Sequence, residues 1–327
     1  MFVLIALFVF VLGYVLARPI IALAWTMGAV DIPQDWRRMH RESVPRNGGL
    51  AIVLPFVVGC ALLRVNEPLS LFALVGGGLM LCVGLVDDIF CLGPMTKLCF
   101  QVAASIAAVV GSGIGQGSLV LTLLGALWVV TMTNAHNFID GMDGLLVGCA
   151  GIEGSLLALA LLLIGQGEGA QMALLLALAS GAFRIYNRYP ARAFAGDCGS
   201  GTIGFLFGML SLPLLLGGGA PIGTFSPVLL FAYPLADLCT AVARRLLRGR
   251  SPFAADRGHI HHRLYAAGLG VPACCAVLFS VTGAFGAIGV LLLTEKLWGL
   301  ATVLCVATVL LMTRIRRYVI HNATPMR

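Results

Sequence analysis

Amide and carboxylate side chains recur at a regular spacing in the middle of the chain. Asn134, Asn137, Asp140 and Asp143 lie three residues apart, which on a helical turn would place them along one contiguous polar stripe. Their oxygen atoms are the ligands that hard cations such as Mg²⁺ prefer. The same groups can bind the hydroxyls and base edge of a nucleoside. This polar run lies between two apolar stretches, which is unusual for a loop that only connects two helices. We therefore predict a binding site here.

An adjacent pair of carboxylates, Asp87 and Asp88, ends another apolar stretch. Two neighbouring negative charges repel each other, and both the C-terminal end of a helix and nearby lipid disfavour them. A divalent cation or a cationic partner would relieve both problems. Taken alone, the pair is also explained by two solvated aspartates at the membrane surface.

A further carboxylate, Asp197, lies in a segment rich in glycine and serine, residues 194–204, that opens a helix. Backbone N–H groups and the positive end of the helix dipole favour phosphate at such a position, and Asp197 could hold a metal that bridges it. Glycines also allow membrane helices to pack closely. Packing explains the glycines but does not explain the carboxylate.

Clustered histidines and arginines mark the long polar segment between residues 244 and 270. Its centre carries His259, His261 and His262 among several arginines. This combination suits a pyrophosphate, since both side chains donate hydrogen bonds to phosphate oxygens. A zinc site is the alternative, because His-x-His-His has the character of a ligand set. With no cysteine nearby we favour phosphate; a patch for lipid headgroups would need lysine or arginine more than histidine.

Two more carboxylates, Glu153 and Asp237, fall inside apolar stretches, where an ionisable group is costly. Asp237 lies near the end of its stretch and could support the polar site. The sequence suggests no partner and no role for Glu153.

Composition shows which solvent surrounds most of the protein. Of its 327 residues, 59% are hydrophobic and 11% are charged, against roughly 25% charged in soluble domains. Most of the surface must therefore face lipid.

The net charge of +7 would suggest a nucleic-acid partner in a soluble protein, but basic cytoplasmic loops explain it here, and we expect no nucleic acid. The ten cysteines form no CxxC pair and are interpreted as buried thiols, not as disulfides or metal ligands.

Apolar stretches of the length that a spanning helix requires predict an all-α, polytopic membrane protein with about eleven transmembrane helices in a single domain, residues 1–327. The predicted spans are 2–25, 48–65, 69–86, 98–115, 118–133, 145–165, 170–186, 200–218, 223–243, 271–293 and 297–313.

Basic residues predict the orientation of these spans. Of the 21 lysines and arginines, all except Arg18, Arg64 and Lys296 fall on the side of the C-terminus. The positive-inside rule places that side in the cytoplasm and the N-terminus outside. The motifs with acidic residues and histidines lie on the same side, so we predict one active site on the cytoplasmic face.

Together the motifs resemble one family, the polyprenyl-phosphate N-acetylhexosamine-1-phosphate transferases of glycosyltransferase family 4. Five matches occur in the family's order: Pro45-Arg46-x-Gly-Gly, Asp87-Asp88, Asn134-x-x-Asn137-x-x-Asp140-Gly-x-Asp143-Gly, Gly196-Asp197-x-Gly-Ser and His259-x-His261-His262. The predicted topology is also that of the family.

The resemblance implies how these residues act. Asp87 would deprotonate or position the phosphate of a lipid acceptor, with Asp88 as the supporting catalytic carboxylate. Asn137 and Asp197 would hold Mg²⁺, for which Mn²⁺ can substitute. The rest of the polar stripe would bind the nucleotide: Asn134, Asp140 and Asp143. The basic residues would bind phosphate and sugar: Arg46, His259, His261 and His262.

The implied reaction transfers an N-acetylhexosamine-1-phosphate from a UDP-sugar to undecaprenyl phosphate in the lipid bilayer. UMP leaves, and the lipid-linked sugar starts a cell-envelope polysaccharide such as O-antigen at the bacterial inner membrane. Ile260 interrupts the histidines, which is more similar to the N-acetylglucosamine (GlcNAc) branch than to the muramoyl-pentapeptide branch. N-acetylfucosamine, N-acetylquinovosamine and MurNAc-pentapeptide stay open as alternative donors, and a homodimer stays open as well. A transporter is the distant alternative, although its carboxylates would lie nearer the bilayer midplane.

Overall fold

Helices make up most of the chain that the computed structural model describes, which is residues 1–31, 43–217, 223–254, 256, 258–294 and 297–322. Lipid requires this, because backbone groups without water must pair within their own segment. The helices are α1 Phe2–Met27, α2 Gly49–Leu63, α3 Pro68–Phe90, α4 Pro94–Ser112, α5 Leu119–Ile139, α6 Leu145–Leu163, α7 Gly167–Asn187, α8 Gly196–Leu210, α9 Leu212–Leu216, α10 Ser226–Leu230, α11 Ala232–Leu247, α12 Ile260–Ala266, α13 Val271–Leu291 and α14 Trp298–Asn322.

Within the described residues, nine helical segments are long and apolar enough to cross a membrane. They are α1, α3 to α7, the joined α8–α9 segment, α13, and α14 as far as Ile315. The segment Gly223–Leu230 passes the same test together with α11, but the two are bent by 74°. Helix α2 is apolar but has only 15 residues, fewer than the roughly 17–25 that a span requires. The all-α, multi-pass prediction is confirmed, whereas the count of eleven and the orientation stay predictions.

The bend between α10 and α11 interrupts what the sequence predicts as one span, residues 223–243. Helix α10 ends at Leu230 and α11 begins at Ala232, with Phe231 between them. Prolines lie on both sides of the break, Pro227 and Pro234. Proline lacks a backbone donor and clashes with the preceding turn of a helix, which favours a break in this region.

A two-residue strand pair is the one sheet among the described residues. Val30–Asp31 pairs antiparallel with Val44–Pro45, and the backbone N–H of Arg46 donates to the carbonyl of Ala29 at 2.9 Å. The sequence did not predict strands here. Their pairing holds the Pro45-Arg46 segment in place just before α2 begins.

Helix α8 is the central element of the bundle, and the α8–α9 segment is the most buried of the nine apolar spans. Glycines let its neighbours approach its backbone. A Cβ on Gly84 of α3 would lie 2.3 Å from the Cα of Cys198, and one on Gly49 of α2 would lie 2.3 Å from the backbone nitrogen of Gly199. Because Gly84 is one turn before Asp87, this close packing brings the acidic end of α3 against the first turn of α8.

Candidate active site

A lysine ammonium connects two carboxylates at the centre of the site. Lys97 Nζ lies 2.9 Å from Asp87 Oδ2 and 2.6 Å from Asp197 Oδ2. The three side chains come from the last turn of α3 and the first turns of α4 and α8. The other oxygen of Asp87 accepts the backbone N–H of Leu92 at 2.6 Å. The structure thus brings Asp87 and Asp197 together and adds Lys97, which sequence reasoning counted only as a basic loop residue.

The amides of α5 face the same space. Asn137 Nδ2 donates to Asp197 Oδ1 and to the hydroxyl of Ser200, both at 2.9 Å. One turn earlier, Asn134 Nδ2 donates to Gln101 Oε1 at 2.7 Å. The predicted stripe is therefore present where α5 is helical, up to Ile139.

A cavity of about 460 Å³ connects these groups, and it is lined by α3, α4, α5, α8, α11 and residues 252–254. Its charged and amide-bearing residues are Lys97, Gln101, Asn134, Asn137, Asp197 and Arg245. Its apolar residues include Met80, Val83, Leu98, Val130, Leu238 and Val242. A molecule with a charged head and a hydrocarbon tail would match both parts of this lining.

Asp88 has a different environment from Asp87. Its two oxygens accept the backbone N–H groups of Asp197 at 2.9 Å and Cys198 at 3.1 Å, and Arg46 Nε lies 3.8 Å away. The side chain is fully buried. Since the first N–H groups of a helix have no partner within it, Asp88 acts as the N-terminal cap of α8. It holds the turn that carries Asp197.

Asp140 and Arg46 lie near the first turn of α8, close to Asp197 and Asp88. Desolvation raises the pKa of Asp140 well above its usual range, and the carboxylates of Asp197 and Asp88 act in the same direction, whereas the Arg46 guanidinium opposes them. Burial acts to lower the pKa of Arg46, but the surrounding carboxylates, Asp88 first, raise it above its ordinary value. Arg46 is therefore a permanent cation among four acidic side chains.

Asp143 does not continue the stripe, because α5 has ended before it. Its Oδ2 accepts the backbone N–H of Ala191 at 2.9 Å, and the next residue, Gly144, donates its N–H to Asn187 Oδ1 at 3.0 Å. Asn187 Nδ2 in turn donates to the carbonyl of Ala193 at 2.8 Å. The prediction of a single stripe is wrong for Asp143, whose carboxylate fastens the α5–α6 turn to the α7–α8 connection.

The histidine segment is held by Asp237 of α11. His259 Nδ1 lies 2.6 Å from Asp237 Oδ2, and the backbone N–H of Ile260 donates to Asp237 Oδ1 at 2.7 Å. One carboxylate thus fixes the ring of His259 and caps α12. The His259 ring meets Phe138 edge-on at 5.3 Å, and Arg245 lies over the same Phe138 ring at 5.1 Å, so this segment borders the cavity.

His261 is the most buried of the three histidines. Burial lowers its pKa to about 3, and the nearby His262 and His259 act in the same direction. Its ring packs on the turn after α5, since a Cβ on Gly141 would lie 2.6 Å from His261 Nε2. Neither ring nitrogen has a hydrogen-bond partner among the described residues. A neutral ring with two unsatisfied nitrogens at this position is a candidate contact for a ligand.

The donor set around Asp197 fits a hard cation. Asp87 and Asp197 supply carboxylate oxygens, and the Lys97 ammonium between them shows that their negative charge attracts a cation. The Asn137 amide lies beside Asp197 with its nitrogen turned to that carboxylate, and its oxygen is the atom that would bind a metal. In the described part of the chain, no three His, Cys, Asp or Glu side chains are grouped as metal ligands. A metal here would complete its shell with phosphate and water, as Mg²⁺ commonly does, whereas a structural zinc would need a closed set of protein ligands.

Known proteins resemble this chain over most of its length. A Bacillus subtilis (strain 168) protein named "Probable undecaprenyl-phosphate N-acetylglucosaminyl 1-phosphate transferase" is 30% identical over 311 residues, 90% of this chain and 86% of the relative. A Mycobacterium tuberculosis (strain CDC 1551 / Oshkosh) "Decaprenyl-phosphate N-acetylglucosaminephosphotransferase" is 31% identical over 79% and 74% of the two chains. An Escherichia coli (strain K12) "Undecaprenyl-phosphate alpha-N-acetylglucosaminyl 1-phosphate transferase" is 28% identical over 81% and 77%.

The fold and the site define a multi-pass membrane protein with one acidic, amide-lined cavity beside apolar helix surfaces. The sequence profile of glycosyl transferase family 4 matches residues 70–214, a range that contains both carboxylates bonded to Lys97. The chain belongs to glycosyl transferase family 4, and the resemblance found in its motifs is confirmed.

The position of Asp88 leads to a prediction about stability. Asp88→Ala should destabilise the fold by about 0.5–2 kcal/mol, the usual cost of losing an N-terminal cap, because two N–H groups of α8 lose their acceptor. Thermal unfolding of the detergent-purified variant measures this. Asp87→Ala is the matched control and should lower the unfolding temperature less, since Asp87 accepts one backbone N–H, that of Leu92, whereas Asp88 accepts two. Equal unfolding temperatures for Asp88→Ala and the wild type would contradict the capping role.

Proposed function

We propose that this protein transfers an N-acetylhexosamine-1-phosphate, with GlcNAc-1-phosphate as the first choice, from a UDP-sugar to undecaprenyl phosphate. One observation carries the proposal. Three side chains from different helices, Lys97, Asn137 and Asp197, line one part of a cavity whose other walls are largely apolar, and Asp87 of a fourth helix is bonded to Lys97. The names of the relatives from Bacillus subtilis and Escherichia coli support the same acceptor and the same sugar.

The cavity suits an acceptor that combines a phosphate with a long hydrocarbon. Apolar residues of α3, α4 and α11 line one part of it, including Val83, Leu98 and Leu238. An isoprenoid chain would lie against them and bring its phosphate towards Lys97. The Lys97 ammonium would bind that phosphate, and Asp87, 2.9 Å from Lys97, would position it or accept its proton.

The donor would lie on the α5 and α8 side of the cavity. Asn137 and Asp197 would hold Mg²⁺, or Mn²⁺ in its place, which when bound would neutralise charge on the pyrophosphate. Asn134 and Asp140 would bind the nucleotide, whereas Asp143 would act through the turn that it fastens. Arg46, His259, His261 and His262 would bind phosphate and sugar, because they supply charged and neutral donors around the same turn.

The reaction that this arrangement favours is a direct displacement. A phosphate oxygen of the acceptor attacks the β-phosphorus of the UDP-sugar, the bond between that phosphorus and the bridging oxygen of the pyrophosphate breaks, and UMP leaves. Such transfers depend mainly on positioning and on neutralising charge. Lys97, Arg46 and the histidines supply positive or hydrogen-bonding groups, and Asp87 and Asp197 hold Lys97 in place.

The biological setting follows from the acceptor. A polyprenyl-phosphate acceptor resides in the bacterial inner membrane, and a nucleotide sugar is a cytoplasmic compound. We therefore place the cavity on the cytoplasmic face, in agreement with the distribution of basic residues. The lipid-linked product would start a cell-envelope polysaccharide such as O-antigen.

A radiolabelled transfer assay tests the function. Purified protein, undecaprenyl phosphate and Mg²⁺ are incubated with a panel of UDP-sugars: UDP-GlcNAc, UDP-N-acetylfucosamine, UDP-N-acetylquinovosamine and UDP-MurNAc-pentapeptide. We expect label in the lipid fraction and stoichiometric release of UMP, fastest with UDP-GlcNAc. Faster transfer from another sugar would change the donor and keep the reaction class. Absence of labelled lipid with every donor would reject the proposed function.

A further inference from the structure

A histidine and a glutamate form a fully buried pair behind the cavity. His136 Nε2 lies 3.0 Å from Glu153 Oε2, and both side chains have no exposed surface. The other ring nitrogen of His136, Nδ1, lies 2.9 Å from the carbonyl oxygen of Met132. The rings of Phe207 and Phe231 pack around the imidazole, with centroids 5.5 and 5.9 Å away. Neither member of the pair lines the cavity.

The contacts of His136 determine how many protons the pair holds. Nδ1 faces a carbonyl oxygen, which only accepts, so Nδ1 carries a hydrogen. The short contact between Nε2 and Oε2 then requires one shared proton, either on an imidazolium facing a carboxylate or on a carboxylic acid facing a neutral ring. In both forms the pair has no net charge, which makes its burial tolerable. Loss of one member would leave an unpaired polar group in an apolar interior.

The pair connects α5 and α6, the two helices on either side of the turn at residues 140–144. His136 lies in the last turn of α5, and Glu153 lies in α6, which begins directly after residues 140–144. On the other side of that turn, Asp143 and Gly144 are bonded to the α7–α8 connection. The turn is therefore fixed from two directions, by hydrogen bonds between backbone N–H groups and side-chain oxygens on one side and by the buried pair on the other.

We infer that His136 and Glu153 are positioning residues, whose hydrogen bond holds the end of α5 against α6 and so places Asn137 and Asp140 for the donor. That the hydrogen bond holds α5 against α6 rests on the structure alone. That this placement affects binding of the donor rests on the proposed function. Glu153 thereby obtains a role that its isolated position in the sequence does not reveal.

Three variants separate positioning from stability. Glu153→Ala removes the partner of His136, and Glu153→Gln keeps a side chain that can donate to His136 Nε2. The double variant His136→Phe with Glu153→Leu replaces the pair by apolar groups. Replacing a buried polar pair by well-packed apolar side chains often costs less stability than removing one partner. The double variant should thus unfold near the wild-type temperature while lacking the hydrogen bond between the two helices.

Amide hydrogen exchange of residues 137–148 and donor kinetics are the two measurements. We expect Glu153→Ala to exchange about tenfold faster in this segment, as local opening becomes easier, and to raise the KM for the UDP-sugar more than it lowers kcat. Glu153→Gln should restore both values towards those of the wild type. The double variant should regain thermal stability but keep the faster exchange.

Each outcome decides the inference. Unchanged exchange in Glu153→Ala, or complete recovery of exchange in the double variant, would show that the pair only fills space, and would overturn it. Faster exchange in Glu153→Ala that Glu153→Gln reverses would support it. If the wild type transfers no sugar at all, the proposed function fails, and the exchange data still decide whether the pair positions the turn.

Discussion

Asp197→Asn should lower turnover by about 10²–10³-fold, the range seen when one preorganised electrostatic contact to a developing charge is removed. Asp197 contacts both Lys97 and Asn137, at 2.6 and 2.9 Å, and it is the proposed ligand for Mg²⁺. Asparagine has nearly the same shape, so the fold should survive while the charge is lost. Turnover of UDP-GlcNAc by the detergent-purified variant, with unfolding temperature measured in parallel, checks this expectation.

A metal titration and a matched control sharpen this test. Chelation of the wild type with EDTA should abolish turnover, and Mg²⁺ or Mn²⁺ should restore it. Asp197→Asn should need a higher Mg²⁺ concentration for its remaining activity. Glu168→Gln is the control, because Glu168 is a carboxylate at the opposite end of α7 from the site and accepts the backbone N–H groups of Asn66 and Glu67. Full turnover after exhaustive chelation, or wild-type turnover of Asp197→Asn, would refute the assignment.

Residue type and spacing were sufficient to indicate which polar side chains lie together at the centre of the candidate site. Asp87, Asn137 and Asp197 are polar groups at the ends of apolar helices, where solvation alone explains them poorly. The same helix ends lie together in the structure because α3, α5 and α8 pack through glycines. Apolar periodicity likewise predicted the helical fold, since lipid leaves the backbone few alternatives.

Side-chain direction is what the sequence could not determine. Asp87 and Asp88 are adjacent, but neighbours on a helix point about 100° apart, so one faces Lys97 and the other caps α8. The sequence did not identify Lys97 as a site residue, because the positive-inside rule already explains a basic residue near a helix end. Its position could have indicated a role in the site, because Lys97 lies one turn into a helix that begins beside the acidic pair.

Pairs of residues that are distant in the chain were equally hard to predict. Asp237 and His259 meet only because α11 and the histidine segment fold back on each other. His136 and Glu153 meet across two consecutive helices, and no local pattern reveals which face of α5 the imidazole occupies. In both cases a buried carboxylate indicated that a partner was required, but tertiary packing determined its identity.

Asp87→Asn and Asp140→Asn should impair different steps, turnover and donor binding respectively, although both replace an aspartate by its amide. Asp87→Asn should depress turnover by about 10²–10³-fold with little change in affinity for the UDP-sugar, because Asp87 is bonded to Lys97, which lines the part of the cavity proposed for the lipid phosphate. Asp140 lies beside Arg46 at the proposed donor site. Its substitution should weaken donor binding about tenfold or more, since a hydrogen bond to a charged group contributes roughly 1.5–3 kcal/mol.

Calorimetric titration of each detergent-purified variant with UDP-GlcNAc separates these effects, and steady-state kinetics give the accompanying kcat. Each variant serves as the control for the other, because both replace a carboxylate by its amide near the same turn of α8. We expect near wild-type affinity with low kcat for Asp87→Asn, and low affinity for Asp140→Asn. If Asp87→Asn instead abolished donor binding while Asp140→Asn bound normally, the two roles would have to be exchanged, and the lipid phosphate would have to be placed on the Asp140 side of the cavity.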